Sequence, residues 1–117
     1  MTYPLNAPLT ELLLLSIISE SDSYGYIISQ NLRKVSKLND SALYPMLKKL
    51  SDQGYVEIYD QQFQGRNRKY YRITNEGDIR RLELKKEWNE YCEQIRGIVE
   101  FEEKEPVAEG GNENDQK

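Results

Sequence analysis

The sequence predicts a mainly α-helical domain with a small β-hairpin, an α+β fold. Three observations indicate it: helical spacing of leucine and isoleucine through the first 50 residues, an alternating pattern on both sides of a loop near residue 65, and a long charged helix after residue 74. The chain has 117 residues, of which 38% are hydrophobic. That length provides one modest core and leaves no room for a two-domain enzyme.

The first two helices are predicted from their capping residues and apolar spacing. Asn6 can cap the first helix, with Pro8 in its first turn, and the leucines and isoleucines that follow make this helix apolar on most sides. Such a helix is typical of the centre of a small core. Ser23 is expected to open the second helix, on whose polar side Tyr26 and Arg33 lie.

A third helix is predicted from about residue 39 to residue 53. Its N-cap is placed at Ser41, because Pro45 disfavours a helical conformation at Tyr44 and requires the helix to start late or to bend. An apolar stripe faces the core and consists of Leu43, Met46, Leu47 and Leu50. The opposite face carries small residues first, then a phenol, then two lysines.

Residues 55–60 and 68–74 alternate apolar and polar side chains, the pattern of half-buried strands. The loop between them, residues 61–67, contains Gly65 and is short enough to join them as an antiparallel hairpin. This hairpin is basic, with Arg66, Arg68, Lys69 and Arg72.

Thr74 is the predicted N-cap of a long final helix. Its apolar residues Leu84, Trp88, Tyr91, Ile95 and Ile98 are spaced by 4, 3, 4 and 3, which is an a/d seam of about two heptads, with Cys92 beside it. A seam of this kind can pack on its own domain or against a second copy; the core already buries its own apolar residues, so we expect a dimer interface. The predicted domains are residues 1–74, the dimerisation helix 75–104, and a disordered acidic tail 105–117.

The order of three helices, a hairpin and a long helix is the pattern of a winged helix-turn-helix, in which the third helix enters the major groove of DNA. The residues predicted to contact DNA lie on the second helix, the third helix and the hairpin: Tyr26, Arg33, Ser41, Ala42, Tyr44, Pro45, Lys48, Lys49, Gln64, Gly65, Arg66, Arg68 and Lys69. The alternative for each segment alone is an ordinary solvated surface. For the whole protein the alternative is a winged-helix interaction module that does not bind DNA.

Composition narrows the chemistry. The absence of histidine removes the commonest general base, so we expect no enzyme, no metal site and no cofactor. The single cysteine cannot form an intramolecular disulfide, so we expect a cytoplasmic location. No apolar stretch approaches the length of a membrane span. The net charge of −4 conceals a basic segment, because residues 25–72 hold nine Lys and Arg against four acids, a net +5.

Several blocks of sequence resemble the PadR family of bacterial transcriptional regulators. They are Tyr24-Gly25-Tyr26-Ile27-Ile28, Ala42-Leu43-Tyr44-Pro45-Met46-Leu47-Lys48-Lys49-Leu50, Gly54-Tyr55-Val56 and Arg68-Lys69-Tyr70-Tyr71-Arg72-Ile73-Thr74, with Gly77 and Trp88. The resemblance covers about residues 9–100 and fits the short subgroup with a single C-terminal helix. The tail after Phe101 matches no family motif.

The resemblance implies a homodimeric repressor that binds double-stranded operator DNA and releases it when a small aromatic effector binds. Trp88 occupies the position at which drug-binding members carry a tryptophan in the dimer interface. Two roles remain open for Trp88: packing in the interface alone, or stacking on a flat ligand as well. The operator sequence and the effector do not follow from the resemblance.

Overall fold

The computed structural model describes residues 6–104 and contains four helices and three strands in that part of the chain. In chain order they are α1 Ala7–Glu20, β1 Ser23–Tyr24, α2 Gly25–Leu32, α3 Asp40–Asp52, β2 Val56–Phe63, β3 Arg66–Ile73 and α4 Asn75–Lys104. The predicted winged helix-turn-helix of the α+β class is confirmed. The tail from residue 105, expected to be disordered, lies outside the described residues.

The core is built on α1. Asn6 caps this helix as predicted, since its side chain accepts a hydrogen bond of 2.8 Å from the Leu9 amide. Leucines and isoleucines of α1, α2 and α3 pack together and are covered by one buried residue each from β2, β3 and α4. The buried apolar residues are Leu12, Leu14, Leu15, Ile18, Ile28, Leu32, Leu43, Leu47, Leu50, Val56, Tyr71 and Leu84. Most of this core comes from the helical spacing that the sequence displays.

The helix-turn-helix pair begins differently from the prediction. Ser23 does not cap α2; it belongs to β1, and Tyr24 occupies the N-cap position without a side-chain hydrogen bond. The N-cap of α3 is Asn39 rather than Ser41, because the Asn39 carboxamide oxygen accepts a hydrogen bond of 3.0 Å from the Ala42 amide. Pro45 therefore lies inside α3, which begins at Asp40.

The sheet has the strand order β1-β3-β2, with both pairings antiparallel. The predicted seven-residue loop is only a two-residue turn of Gln64 and Gly65, because β2 and β3 stay paired as far as Phe63 and Arg66. Both turn residues have positive φ, 53° and 76°. This combination is the mark of a type I′ turn, whose twist matches that of a hairpin.

Two compact units divide the chain, Met1–Lys85 and Lys86–Lys117. The first unit ends within α4, eleven residues beyond the boundary at residue 74 that the sequence suggested. Thr74 caps α4 as predicted, since its hydroxyl accepts a hydrogen bond of 2.9 Å from the Gly77 amide. Leu84 was expected in a dimer seam, but it is only 3% exposed and belongs to the core of the first unit.

Candidate nucleic-acid interface

The exposed face of α3 carries most of the residues predicted for it. Leu43, Leu47 and Leu50 are buried, which leaves the side chains at 41, 44, 45, 48 and 49 exposed and Ala42 half-buried. The Ser41 hydroxyl donates to the Asn39 carboxamide oxygen at 2.7 Å. The first turn therefore presents small side chains, the kind that lets a helix approach base edges closely.

Asp40 joins α3 to α2. Its carboxylate accepts a hydrogen bond of 3.2 Å from the Ser29 hydroxyl and lies 3.7 Å from the Arg33 guanidinium. Arg33, a predicted phosphate contact, thus already has an acidic partner, although about half of its side chain is exposed. Asp40 therefore links α2 to α3, and its carboxylate partly neutralises the positive charge of Arg33.

The lysines of α3 differ in their surroundings. Lys48 pairs with Asp52 at 3.3 Å, one helical turn away. Lys49 lies on the side of α3 that faces α1, where it lines a small cavity of about 100 Å³ with Glu11 and Met46. The structure therefore does not bring Lys49 together with the other predicted contacts.

The hairpin, which we call the wing, is β2, β3 and their turn. Arg66, at the turn, and Lys69 are exposed and have no carboxylate within 4.0 Å among the residues that the structure describes. Arg72 differs, because it pairs with Glu57 at 3.3 Å and Asp22 at 3.9 Å. The uncompensated charge of the wing is concentrated in its turn-proximal half.

Aromatic rings support the wing on one face of the sheet. The ring of Tyr24 lies 5.9 Å from Phe63 and 5.4 Å from Tyr70, and Tyr70 stacks on Tyr59 at 5.7 Å. The Arg68 guanidinium lies over the rings of Tyr24 and Phe63, at 4.6 and 5.4 Å. Stacking of this kind fixes the direction of an arginine side chain. No sequence pattern indicates this cluster, since only the pairing of β1 with β3 assembles it.

Four of the predicted residues meet at one cleft between α2, α3 and β3, with a volume of about 280 Å³. We call it the tyrosine cleft; its lining includes Gly25, Tyr26, Tyr44, Arg68, Lys69 and Tyr71. A Cβ atom on Gly25 would lie 2.5 Å from the Tyr44 hydroxyl oxygen, so any larger residue at this position would displace the Tyr44 ring. Gly25 and Tyr71 were not among the predicted site residues, although both belong to the motifs quoted above.

Burial and hydrogen bonding raise the pKa values of two tyrosine side chains in the wing. Burial raises the pKa of Tyr71, and the nearby Tyr44 phenol adds to that effect. The pKa of Tyr59 is raised as well, first because its hydroxyl donates a hydrogen bond of 2.6 Å to Asp22. Both phenols are therefore neutral donors at neutral pH. In the described part of the chain no three His, Cys, Asp or Glu side chains are grouped so as to hold a metal ion.

Comparison with known proteins assigns the family. The model of the transcriptional regulator PadR-like family matches residues 14–92. The chain belongs to this family. An uncharacterized protein X of Lysinibacillus sphaericus is 36% identical over 93 residues, which cover 75% of this chain and 85% of that protein. This chain is thus one of the DNA-binding transcriptional regulators of the PadR family, and the fold of that family explains the order of its elements.

Solved structures agree with this family assignment. The protein smu.1704 of Streptococcus mutans UA159 is 49% identical with a TM-score of 0.82, over 86% of this chain and 94% of that one. A PadR family transcription regulator of Clostridium difficile R20291 is 30% identical with a TM-score of 0.68, over 76% and 95%. A PadR-like transcriptional regulator of Bacillus cereus is 28% identical with a TM-score of 0.72, over 77% and 90%.

Between residues 6 and 104, none of the helices combines the length and the apolar character that crossing a membrane requires.

Proposed function

We propose that this PadR-family chain is a homodimeric repressor that binds double-stranded operator DNA through α3 and the wing, in the bacterial cytoplasm. The observation that carries the proposal is the convergence of Tyr26, Tyr44, Arg68 and Lys69 on the tyrosine cleft, beside the exposed first turn of α3. In this arrangement α3 reads base edges, while phenols, lysines and arginines bind the phosphates that position it.

The predicted contacts divide into two groups by their electrostatic surroundings. Arg66, Arg68 and Lys69 are the principal phosphate ligands, because no carboxylate of the described residues lies within 4.0 Å of their charged groups. Arg33 and Lys48 contribute less, since each must partly give up an acidic neighbour to bind a phosphate.

The DNA-binding proposal is tested by titrating the purified protein against the DNA upstream of its own gene at low salt. Replacing Arg66 and Lys69 together by Ala is expected to weaken binding by about tenfold or more, because phosphate contacts dominate affinity. The matched control replaces Lys85 and Lys86 of α4 and removes the same charge. No binding by the unaltered protein would favour the alternative, a winged-helix interaction module without DNA binding.

The dimer proposal rests on the second compact unit. Trp88, Tyr91 and Ile95 leave much of their surface in water, Ile98 is 72% exposed, and Cys92 beside them is half-buried. An exposed apolar stripe at a/d spacing is buried when two helices pair. Leu84 contributes to the core of its own domain and is left out of this proposed interface.

Sedimentation velocity tests the dimer. Replacing Ile95 by Glu places a charge in the proposed seam and is expected to give a monomer at micromolar concentration. The control is Glu90→Gln on the same helix, which should remain dimeric. A protein that is monomeric without any substitution would contradict the proposal.

We propose further that a small, flat aromatic effector stacks on Trp88, whose side chain is 43% exposed. Planar aromatic cations or phenolics are then expected to quench the fluorescence of Trp88, the only tryptophan of the chain. Release of DNA by an active compound should be lost in Trp88→Ala. Undiminished release by that variant would leave Trp88 with a packing role alone.

A further inference from the structure

The tyrosine cleft has the chemistry of an anion site. It is lined by two basic residues and four tyrosines, and none of the described residues that line it is acidic; these six are Arg68, Lys69, Tyr24, Tyr26, Tyr44 and Tyr71. Phenols and ammonium groups donate hydrogen bonds to oxyanions, and the raised pKa of Tyr71 keeps its proton in place.

Arg68 provides an independent observation. Its Nε atom is buried and has no hydrogen-bond partner in the described part of the chain, which is unusual for a charged donor. The stacking of its guanidinium over Tyr24 and Phe63 holds the group in place. Two rings therefore fix the direction of the guanidinium, and its terminal nitrogen atoms are the ones that can donate to a bound anion.

The start of α2 adds donors on the same side. Gly25 is the first residue of the eight-residue helix, is buried, and lines the cleft. Tyr24, at the N-cap, makes no side-chain hydrogen bond to the first turn. The first-turn amides therefore have no capping side chain, and the positive end of the helix dipole favours an anion there.

We propose that the tyrosine cleft binds one phosphate-type oxyanion, which on DNA is a single backbone phosphodiester in each half-site. This inference rests on the proposed DNA binding and adds a defined register to it, because a phosphate held by α2, α3 and β3 at once fixes all three elements on the duplex. About 280 Å³ accommodates a phosphate together with part of its sugar.

The test replaces individual phosphates of an operator half-site by neutral methylphosphonates and measures the affinity of the full-length protein for each DNA. One position is expected to weaken binding by about tenfold in the unaltered protein and by less than twofold in Arg68→Met, which has already lost the contact. Arg66→Met is the matched control, because Arg66 lies on the same strand outside the cleft. It should keep the full penalty at that position.

Lys69→Met repeats the test with an exposed residue, so that a folding defect of Arg68→Met cannot decide the result. Equal penalties at every position in the unaltered protein and in both cleft variants would overturn the inference while leaving DNA binding intact. Failure of the unaltered protein to bind unmodified DNA would overturn the proposed function and this inference together.

A second arm separates DNA from a free anion. Inorganic phosphate is titrated, against chloride at equal ionic strength, while the amide resonances of Gly25 and Tyr26 are followed by NMR. Saturable shifts that disappear in Arg68→Met support a site that accepts the isolated anion. Absence of shifts, with an Arg68-dependent phosphate on DNA, assigns the site to the phosphodiester. Absence of both responses overturns the inference.

Discussion

At the scale of single residues, the two altered tyrosines make a prediction about pH. Burial raises the pKa of Tyr71, and the hydrogen bond to Asp22 raises that of Tyr59, so above pH 10 the native state holds more protons than the unfolded state. The stabilising effect is complete below the unfolded pKa of about 10 and is lost as pH rises through the folded values. The free energy of unfolding in urea should therefore decline as the pH rises above about 10.

Tyr71→Phe removes one of the two titrating groups and is expected to flatten the decline of the unfolding free energy with pH. The stability of this variant at pH 7 is the reference for the comparison. An unchanged pH dependence in Tyr71→Phe would show that the Tyr71 phenol has the same pKa in the folded and unfolded states. The alternation of residues 68–74 predicted a half-buried strand position for Tyr71. Its neighbour Tyr44 could not be predicted, because Tyr44 belongs to α3 and is brought close only by folding.

At the scale of elements, the turn of the wing contains a residue that its backbone conformation does not favour. Gln64 has a φ of +53°, a region in which asparagine is more favourable than glutamine. Gln64→Asn is expected to stabilise the domain by about 0.5 kcal/mol, whereas Gly65→Ala should destabilise it by about 1 kcal/mol, since Gly65 also has a positive φ. Chemical unfolding measures both. Destabilisation by Gln64→Asn would argue against the type I′ turn.

A partly buried ion pair joins α1 to α4 within the first compact unit. Arg80 donates two hydrogen bonds to the Glu11 carboxylate, at 3.0 and 3.4 Å, and this contact raises the pKa of Arg80. Because that pKa is above the neutral range in both states, the pair contributes fully at pH 7. Arg80→Met is expected to cost about 1 to 2 kcal/mol of unfolding free energy. Arg96→Met, which breaks exposed pairs on the same helix, should cost less than about 0.5 kcal/mol.

The elements differ in how far the sequence could predict them. The four helices were recognised because their apolar spacing is a local signal. The caps of α2 and α3 were misplaced, that of α3 because Asn39 and Ser41 are both good capping residues. β1 was missed because two residues carry no period, and Ser23 and Tyr24 become a strand only by pairing with β3. The wing was predicted too short because Gln61 and Gln62 look like a loop, although cross-strand pairing keeps them extended.

At the scale of the whole molecule, the net charge of −4 is distributed so that it does not oppose DNA binding. The basic segment, residues 25–72, includes α2, α3 and the wing, while the acidic residues are concentrated before and after it. Pairing reduces the effective positive charge further, since Arg33, Lys48 and Arg72 each have an acidic neighbour. The sequence could predict the segment that is basic, but only the structure distinguishes the paired cations from the unpaired ones.

This distinction predicts the salt dependence of DNA binding. Arg68 and Lys69 share the phosphate of the cleft and Arg66 binds a second one, so two protomers would neutralise about four phosphates. The logarithm of the binding constant should therefore fall against the logarithm of the salt concentration with a slope of about −4. Replacing Arg66 and Lys69 by Ala leaves two of these contacts and should reduce the slope to about −2. The Lys85 and Lys86 control variant removes equal charge from α4 and should retain a slope of about −4. Equal slopes in the two variants would mean that overall charge, rather than the unpaired cations of the wing, drives binding.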